Sequence, residues 1–320
     1  MTRILVTGAE GFVGRSLTAN LQRHGASVIG AIRSENAASS LSLETAVTGD
    51  IRLRPDWDAL LRGADGVVHL AARAHVTRDR ASNPIAQFRA VNVMPAVELF
   101  RACQRNGVER FIFISSIGVN GAFTRGRPFL ESDVPNPVEP YAISKWEAEQ
   151  ELSKAVIDGS TKLVVIRPSL IYGQGVKGNF LRLMHLIDSG WPLPFAAITA
   201  KRSFLGLSDF CDLLRRCLEA PLNAQQLFVA ADPAAMSTPD LIRRIADAMH
   251  SQPKMVAVPL GVLKIAGSLF GRRSEIERLV GPLEVNASKA RITLDWQPNA
   301  DCARDVEAMV EAYAKAKAKA

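Results

Sequence analysis

Tyr141 and Lys145 stand four residues apart in the segment Pro140-Tyr-Ala-Ile-Ser-Lys145. Proline is favoured in the first turn of a helix, because its missing N–H would go unpaired there in any case. A helix opening at Pro140 therefore puts the phenol and the ammonium on one face. A phenol is a poor acid or base at neutral pH, its ordinary pKa being about 10. A neighbouring ammonium favours the phenolate and lowers that value. The pair can thus form a proton-transfer site, although the same spacing also occurs at ordinary solvated helix starts. The rest of the chain decides between the two.

The elements before this helix supply a setting. Arg3–Thr7 reads as a short buried strand, followed by Gly8-Ala-Glu-Gly11-Phe-Val-Gly14 and the helical pattern Arg15–His24. Glycines between a strand and a helix permit a tight turn and let backbone approach a pyrophosphate at the helix start. Ser27–Arg33 is a second strand. NAD binders place an acid at its end to hold the ribose 2′-hydroxyl, whereas arginine there accepts a 2′-phosphate. This chain has Arg33 and then Ser34, with no acid until Glu35. That favours NADP(H), with NAD(H) as the other option. Ala46–Asp50 is a third strand, whose terminal acid can face an adenine amino group, and Asp56–Arg62 a short helix. Gly66–Leu70 is a fourth strand, running into Ala71-Ala72-Arg73-Ala74-His75, where small residues let a cofactor lie close. Ile85–Asn106 reads as one long helix with Asn92 inside it, and Phe111–Ser115 as the fifth strand, with Ser116 at its end. Lys162–Arg167 is the sixth, followed by Pro168-Ser-Leu-Ile171-Tyr-Gly173. Alternating strands and helices of this kind predict a Rossmann-type, doubly wound parallel α/β sheet with ligands at the strands' C-terminal ends.

After about residue 170 the pattern loosens. Helices are expected over Asn179–Ser189, Phe210–Glu219 and from Ser237-Thr-Pro-Asp240, with a strand at Gln226–Ala230. The expected organisation is a dinucleotide-binding domain over residues 1–170 and a smaller C-terminal substrate-binding lobe over 171–320, with some later segments returning to the sheet. Val258–Arg273 is apolar, with Lys264 inside and Gly271-Arg272-Arg273 at its end. It reads as a core helix of the lobe; the sharper alternative is a helix lying on a membrane surface. The tail Ala314–Ala320 reads as a loose helix end.

Composition narrows the field. In 320 residues, 39 basic and 32 acidic side chains leave a net charge of +7, with the basic residues scattered, so nothing points to nucleic acid. Anionic small molecules fit the balance. Cys103, Cys211, Cys217 and Cys302 lack metal-ligand or redox spacing, and no metal site is expected. The N-terminus has no signal-peptide layout, and no uncharged apolar run reaches the roughly 18 residues of a spanning helix. These features place the protein in a reducing cytoplasm.

Taken in order, Thr7-Gly8-x-x-Gly11-Phe-Val-Gly14, Leu70-Ala71-Ala72, Ser115-Ser116, Tyr141-x-x-x-Lys145 and Arg167-Pro168-x-x-x-Tyr172-Gly173 resemble the extended short-chain dehydrogenases/reductases, and within them the NAD-dependent epimerase/dehydratase group acting on nucleotide sugars. Lys145-Trp-Glu within Val138–Gln150, Gly178-Asn179-Phe180 and Arg202-Ser203 are similar to bacterial UDP-4-keto-6-deoxy-N-acetylhexosamine 4-reductases of surface-polysaccharide synthesis, whose relatives include UDP-glucose 4-epimerases. The resemblance implies that Tyr141 is the acid/base, Lys145 its partner and a ribose ligand, and Ser116 the donor to the reacting oxygen. It implies a phosphate turn of Gly8, Gly11 and Gly14 with Phe12 and Val13, adenine contacts from Asp50 and Ile51, a cofactor lining of Leu70, Ala71 and Ala72, and Pro168 and Ile171 along the nicotinamide. His75, Asn179, Arg202 and Arg272 would join Ser116 and Tyr141 around the UDP-sugar. A homodimer through helices near Ile85–Asn106 and Tyr141–Ala155 is also implied.

Departures from the family pattern select among activities. Dehydratases of this group carry Asp-Glu after the catalytic Ser/Thr; Ile117 and Gly118 stand here, and neither can transfer a proton. Asn120 replaces a usual tyrosine. Arg33 departs from the epimerases' acid and moves the expectation toward net reduction of a 4-keto sugar by NAD(P)H. The alternatives are a UDP-sugar 4-epimerase with tightly held NAD, and a nucleotide-sensing binding protein with an inactive site.

Overall fold

The computed structural model describes residues 2–36, 41–74, 83–222, 225–269, 273–299 and 303–318. In chain order its strands are β1 (Arg3–Thr7), β2 (Ser27–Ile32), β3 (Glu44–Val47), β4 (Gly66–His69), β5 (Arg110–Ile114), β6 (Lys162–Pro168), β7 (Leu170–Tyr172), β8 (Lys201–Arg202), β9 (Phe204–Gly206), β10 (Gln225–Ala230) and β11 (Met236–Ser237). Seven form one parallel sheet in the order β10-β6-β5-β4-β1-β2-β3. The order reverses beside β1, so a crevice opens between the ends of β1 and β4, where such sheets bind ligands. The central strands are nearly continuous apolar runs because helices cover both faces.

On one face lie α1 (Phe12–Arg23) and, from later in the chain, α7 (Leu207–Glu219) and α11 (Ser288–Thr293). Their core joins Leu17, Leu21, Phe210, Leu214 and Trp296 to Ile4, Val68 and Ile112 of the sheet. On the other face α2 (Trp57–Leu60), α3 (Pro84–Asn92), α4 (Met94–Arg105) and α5 (Pro140–Lys154) surround a second core of Trp57, Leu99, Phe100, Phe111 and Leu152. A third core belongs to the C-terminal part: Phe180 and Met184 of α6 (Asn179–Asp188), Ile242 and Ile245 of α8 (Thr238–Ala248), and Met309 of α12 (Ala303–Lys317).

Four elements differ from the sequence expectation. The helix expected over Ile85–Asn106 is two helices, α3 and α4, which part at Val93 (φ −97°, ψ −73°). Pro95 has no N–H to continue the ladder, and Asn92, buried at the break, turns its amide to other work. The third strand ends at Val47 rather than Asp50, because Gly49 adopts φ +65° and Asp50 caps a 3₁₀ turn over Ile51–Leu53. Val258–Arg273 is not a core helix: it divides into α9 (Leu260–Leu269) and α10 (Arg273–Val280), and of α9's described residues only Leu263 is buried. The tail is firmer than expected, since α12 continues to Lys317, whose ammonium pairs with Asp188.

Candidate active site

The chain enters the site through the turn after β1. Gly8 has φ +68°, and a Cβ on it would come within 3.0 Å of the Ala71 backbone, so the turn lies directly on the exit of β4. A Cβ on Gly14 would sit 2.2 Å from the Gly8 carbonyl. Gly11 begins α1 with no side-chain cap and no acid in the first turn. The N–H groups at this helix start are therefore open to an anion, which is the cradle a dinucleotide pyrophosphate requires. Phe12 and Val13 pack half-buried beneath it, and Leu70, Ala71 and Ala72 leave β4 half-buried alongside.

Behind the turn, Thr7 Oγ1 accepts from Ala71 N (3.2 Å) and lies 2.9 Å from His69 Nδ1. Burial, aided by the Lys145 charge, pushes the His69 pKa down to about 3, so the imidazole is neutral. Asn92 makes the second tie. It accepts from Arg73 N (2.8 Å) and donates to Arg73 O and to Ser144 Oγ, which itself donates to Tyr141 O (2.7 Å). The exit of β4 is thereby bound to the first turn of α5. None of Thr7, His69 and Asn92 has a role legible in sequence: Thr7 stands at the head of the glycine motif, Asn92 is a polar residue within a helical pattern, and His69 carries no signal.

At the adenine end, Arg33 is exposed beyond β2, with no ion pair among the described residues. The Asp50 carboxylate does not stand open: Arg52 Nε reaches both its oxygens at 2.9 and 3.0 Å, and Arg52 N donates to Oδ1. These bonds to Arg52, with Arg33 nearby, hold the Asp50 pKa down to about 2. Ile51 is half-buried beside it.

Ser116, Tyr141 and Lys145 meet where β5 ends and α5 begins. Ser116 Oγ accepts from Gly118 N (3.1 Å), which leaves its hydroxyl hydrogen to donate elsewhere. Lys145 is buried, with Nζ 4.6 Å from the Phe113 ring centre and 5.9 Å from that of Tyr141. Its ammonium donates to Ile114 O (2.8 Å). Burial dominates both groups, pushing Lys145 down to about 7 and Tyr141 up to about 12. The lowered phenol expected from a facing ammonium is thus absent in this arrangement, because the lysine is committed to a backbone carbonyl.

One turn further along α5, Glu149 holds the Arg167 guanidinium of β6 through both carboxylate oxygens (2.6 Å at Nη2) and also accepts from Ser115. Asn120, in the place of the usual tyrosine, accepts from Arg167 Nη1 (2.9 Å) and donates to Leu130 O. Pro168 is buried and Ile171 half-buried next to this network.

Toward the C-terminal part, Asn179 opens α6 exposed. Arg202 is half-buried and donates to Gly281 O (2.7 Å). Burial and the Arg278 charge push its pKa down to about 10. Arg278, on α10, pairs at 3.3 Å with Glu139, two residues before Tyr141. Two guanidiniums thus lie near one another on the side of the cleft facing α5. Arg278 carries no sequence motif, and only the fold brings it here. His75 and Arg272 lie outside the described residues. No group of metal-ligating side chains occurs among those described.

A doubly wound parallel sheet with a glycine turn and an open helix start at its crevice defines a dinucleotide-binding α/β protein. The chain belongs to the NAD dependent epimerase/dehydratase family, which it matches over residues 4–230. It is 40% identical over 299 residues to a UDP-glucose 4-epimerase of Vibrio cholerae, covering 92% of this chain and 90% of that protein. It is 28% identical over 278 residues to an N-acetyl-alpha-D-glucosaminyl-diphospho-ditrans,octacis-undecaprenol 4-epimerase of Escherichia coli O157:H7, covering 85% and 80%. A crystal structure of UDP-glucuronic acid 4-epimerase from Bacillus cereus in complex with NAD superposes with a TM-score of 0.79 at 22% identity, over 98% of this chain and 99% of that one. The protein is an NAD-dependent enzyme of the nucleotide-sugar epimerase/reductase kind. Among the described residues no helix is long and apolar enough to cross a membrane.

Proposed function

We propose that the chain is a UDP-sugar 4-epimerase that retains its nicotinamide dinucleotide, inverting C4 of UDP-glucose or UDP-N-acetylglucosamine. The observation that carries this reading is the Ser116–Tyr141–Lys145 set in a chain so similar, over nine-tenths of its length, to a UDP-glucose 4-epimerase. Both curated relatives named above are 4-epimerases of sugars carried on a diphosphate.

The residues divide the work as follows. The glycine turn and the start of α1 hold the pyrophosphate. Leu70, Ala71 and Ala72 line the dinucleotide, and Pro168 and Ile171 flank its nicotinamide. When bound, the nicotinamide supplies a two-electron carrier for C4 of the sugar. Tyr141 Oη takes the proton of the 4-hydroxyl and returns it after the keto sugar has turned over, with Ser116 donating to the same oxygen. Lys145 lies one helical turn away, where moving off the Ile114 carbonyl brings its charge to the phenolate. Arg202 and Arg278 receive the diphosphate, whose charge replaces that of Glu139 at Arg278. Ile117 and Gly118 provide no second acid or base, so elimination does not compete.

A second reading, net reduction of a UDP-4-keto-6-deoxy-N-acetylhexosamine, rests on Arg33. Its exposed guanidinium, with no ion pair among the described residues, follows β2 where an acid would hold a 2′-hydroxyl, and it suits the 2′-phosphate of NADPH. The purified protein should interconvert UDP-glucose and UDP-galactose, or the N-acetylated pair, without added cofactor. Stoichiometric loss of 340 nm absorbance with NADPH and the 4-keto sugar, and no epimer formation, would overturn the epimerase in favour of the reductase. We further place the enzyme in the cytoplasm, consistent with the buried free thiols of Cys103, Cys211 and Cys217, as a homodimer joined through α3, α4 and α5, which light scattering will check.

A further inference from the structure

Helix α9 is the least explained element of the fold. Val262, Ile265 and Leu269 are 53%, 63% and 79% exposed, and their spacing places them on one face of the helix. Leu263 turns inward instead. None of the described residues of α9 joins the third core. The segment leading into α9 lies beside another exposed apolar group. Leu193 N donates to Lys254 O (2.8 Å) and Val256 N to Leu193 O (2.9 Å), so the chain carrying Trp191 is laced to the chain that enters α9. Trp191 is 74% exposed and Val256 is exposed too. Lys254 and Lys264, both exposed, carry no ion pair among the described residues, and the sequence after α9 continues Phe-Gly-Arg-Arg.

We infer that α9, with Trp191 and Val256 at its edge, seats the protein on an anionic lipid surface. An aliphatic stripe, an amphipathic indole and unpaired lysines are what such a surface recognises: the stripe enters the acyl boundary, the indole sits at headgroup level, and the ammoniums meet lipid phosphates. Ten residues rise about 15 Å, half the hydrocarbon thickness, so the helix lies on the bilayer and does not span it. A second copy of the chain is the weaker occupant. Twofold pairing through α9 would bring Lys264 toward its own copy with no carboxylate on the helix to offset it. Docking here also has a consequence for the site. α9 packs on α10, and α10 carries Arg278 to Glu139 just before Tyr141, so the docked helix is one element away from that ion pair.

The test is sedimentation of the full chain with vesicles. Phosphatidylglycerol-containing vesicles should carry the protein down, pure phosphatidylcholine vesicles should not, and high salt should release it. Ile265→Glu/Leu269→Glu should lower the bound fraction roughly tenfold, with turnover of soluble sugar nucleotide unchanged. Lys254→Glu/Lys264→Glu, which leaves the apolar face intact, should also weaken binding. Trp191 emission, isolated by difference from Trp191→Phe, should shift to the blue on the vesicles. The inference fails if wild type does not bind anionic vesicles, if all variants bind alike, or if wild type is a dimer that the glutamate pair converts to monomer. The sedimentation and fluorescence readouts need no substrate, so failure of the epimerase reading would leave them intact.

Discussion

At the residue scale, the paired phenol and ammonium are held in unreactive states. Burial raises Tyr141 to about 12 and lowers Lys145 to about 7, the Glu149 charge offsetting only part of the fall at Lys145. In the proposed mechanism, activation needs a ligand that draws Lys145 away from Ile114 O. Tyr141→Phe should cut kcat by about 10²–10⁴-fold while dinucleotide binding, read by fluorescence titration, persists. Unchanged turnover would instead favour the inactive nucleotide sensor. Arg278→Ala and Arg202→Ala act on a different parameter. If both receive the diphosphate as proposed, each substitution loses a charge-assisted contact of about 1.5–3 kcal/mol, and KM should rise roughly 10- to 100-fold with kcat little changed. Steady-state kinetics separate the two effects. Sequence located Tyr141, Lys145 and Ser116 because motif spacing within one helix or at one strand end survives folding. It could not locate Arg278, whose partner Glu139 and neighbour Arg202 lie far away in the chain, nor Asn92, whose value is a pair of bonds to the Arg73 backbone.

At the element scale, α5 is braced against β6 by a buried ion pair. Glu149 and Arg167 satisfy one another in a site closed to water, and Ser115, Asn120 and Trp146 complete the shell. Breaking one partner leaves a bare buried charge, so Glu149→Gln should cost about 3–5 kcal/mol by urea unfolding, and Glu149→Met with Arg167→Met together should cost much less. A second brace behaves oppositely with pH. Asp232 accepts from Tyr172 Oη (2.8 Å) and Gly206 N (2.9 Å), yet burial, with Asp209 and Asp305 adding repulsion, pushes its pKa up to about 7. Between its ordinary value near 4 and about 7 the folded chain holds a proton that the unfolded chain has released. Stability must fall as pH rises through that window. Asp232→Asn should thus stabilise the protein on the order of 2–4 kcal/mol at pH 8, with the gain vanishing near pH 4; thermal melts across pH would show it. The strands were legible because apolar runs between glycines announce buried parallel strands. The break at Val93 and the exposure of α9 were not, since hydrophobic pattern alone does not say whether a neighbouring element exists to cover an apolar face.

At the scale of the whole molecule, the cores do not merge into one. The two that flank the sheet carry the glycine turn, while Phe180, Met184, Ile242 and Met309 form their own cluster in the C-terminal part. The parts are joined by main-chain pairing of Phe129 with the 284–286 segment and by a small apolar cluster of Ile117, Val229 and Leu283, against which Phe129 and Val285 pack. Two ligands that enter from opposite sides of the cleft should therefore stabilise different parts. NAD should slow amide exchange in the glycine turn and at the ends of β1, β2 and β4. UDP alone should slow it in α6, α10 and the 201–203 and 281–283 segments, adding about 2.7 kcal/mol at a hundredfold excess over its Kd. In Arg202→Ala the UDP effect at the same concentration should shrink to about 0.4–1.4 kcal/mol while the NAD effect remains. If UDP instead protected the sheet strands as strongly as α6, the separate cores would be opening as one unit. The cleft would then be a fixed cavity rather than a joint that the sugar nucleotide closes, and the turnover of a keto sugar within it would have to occur without movement of the C-terminal lobe.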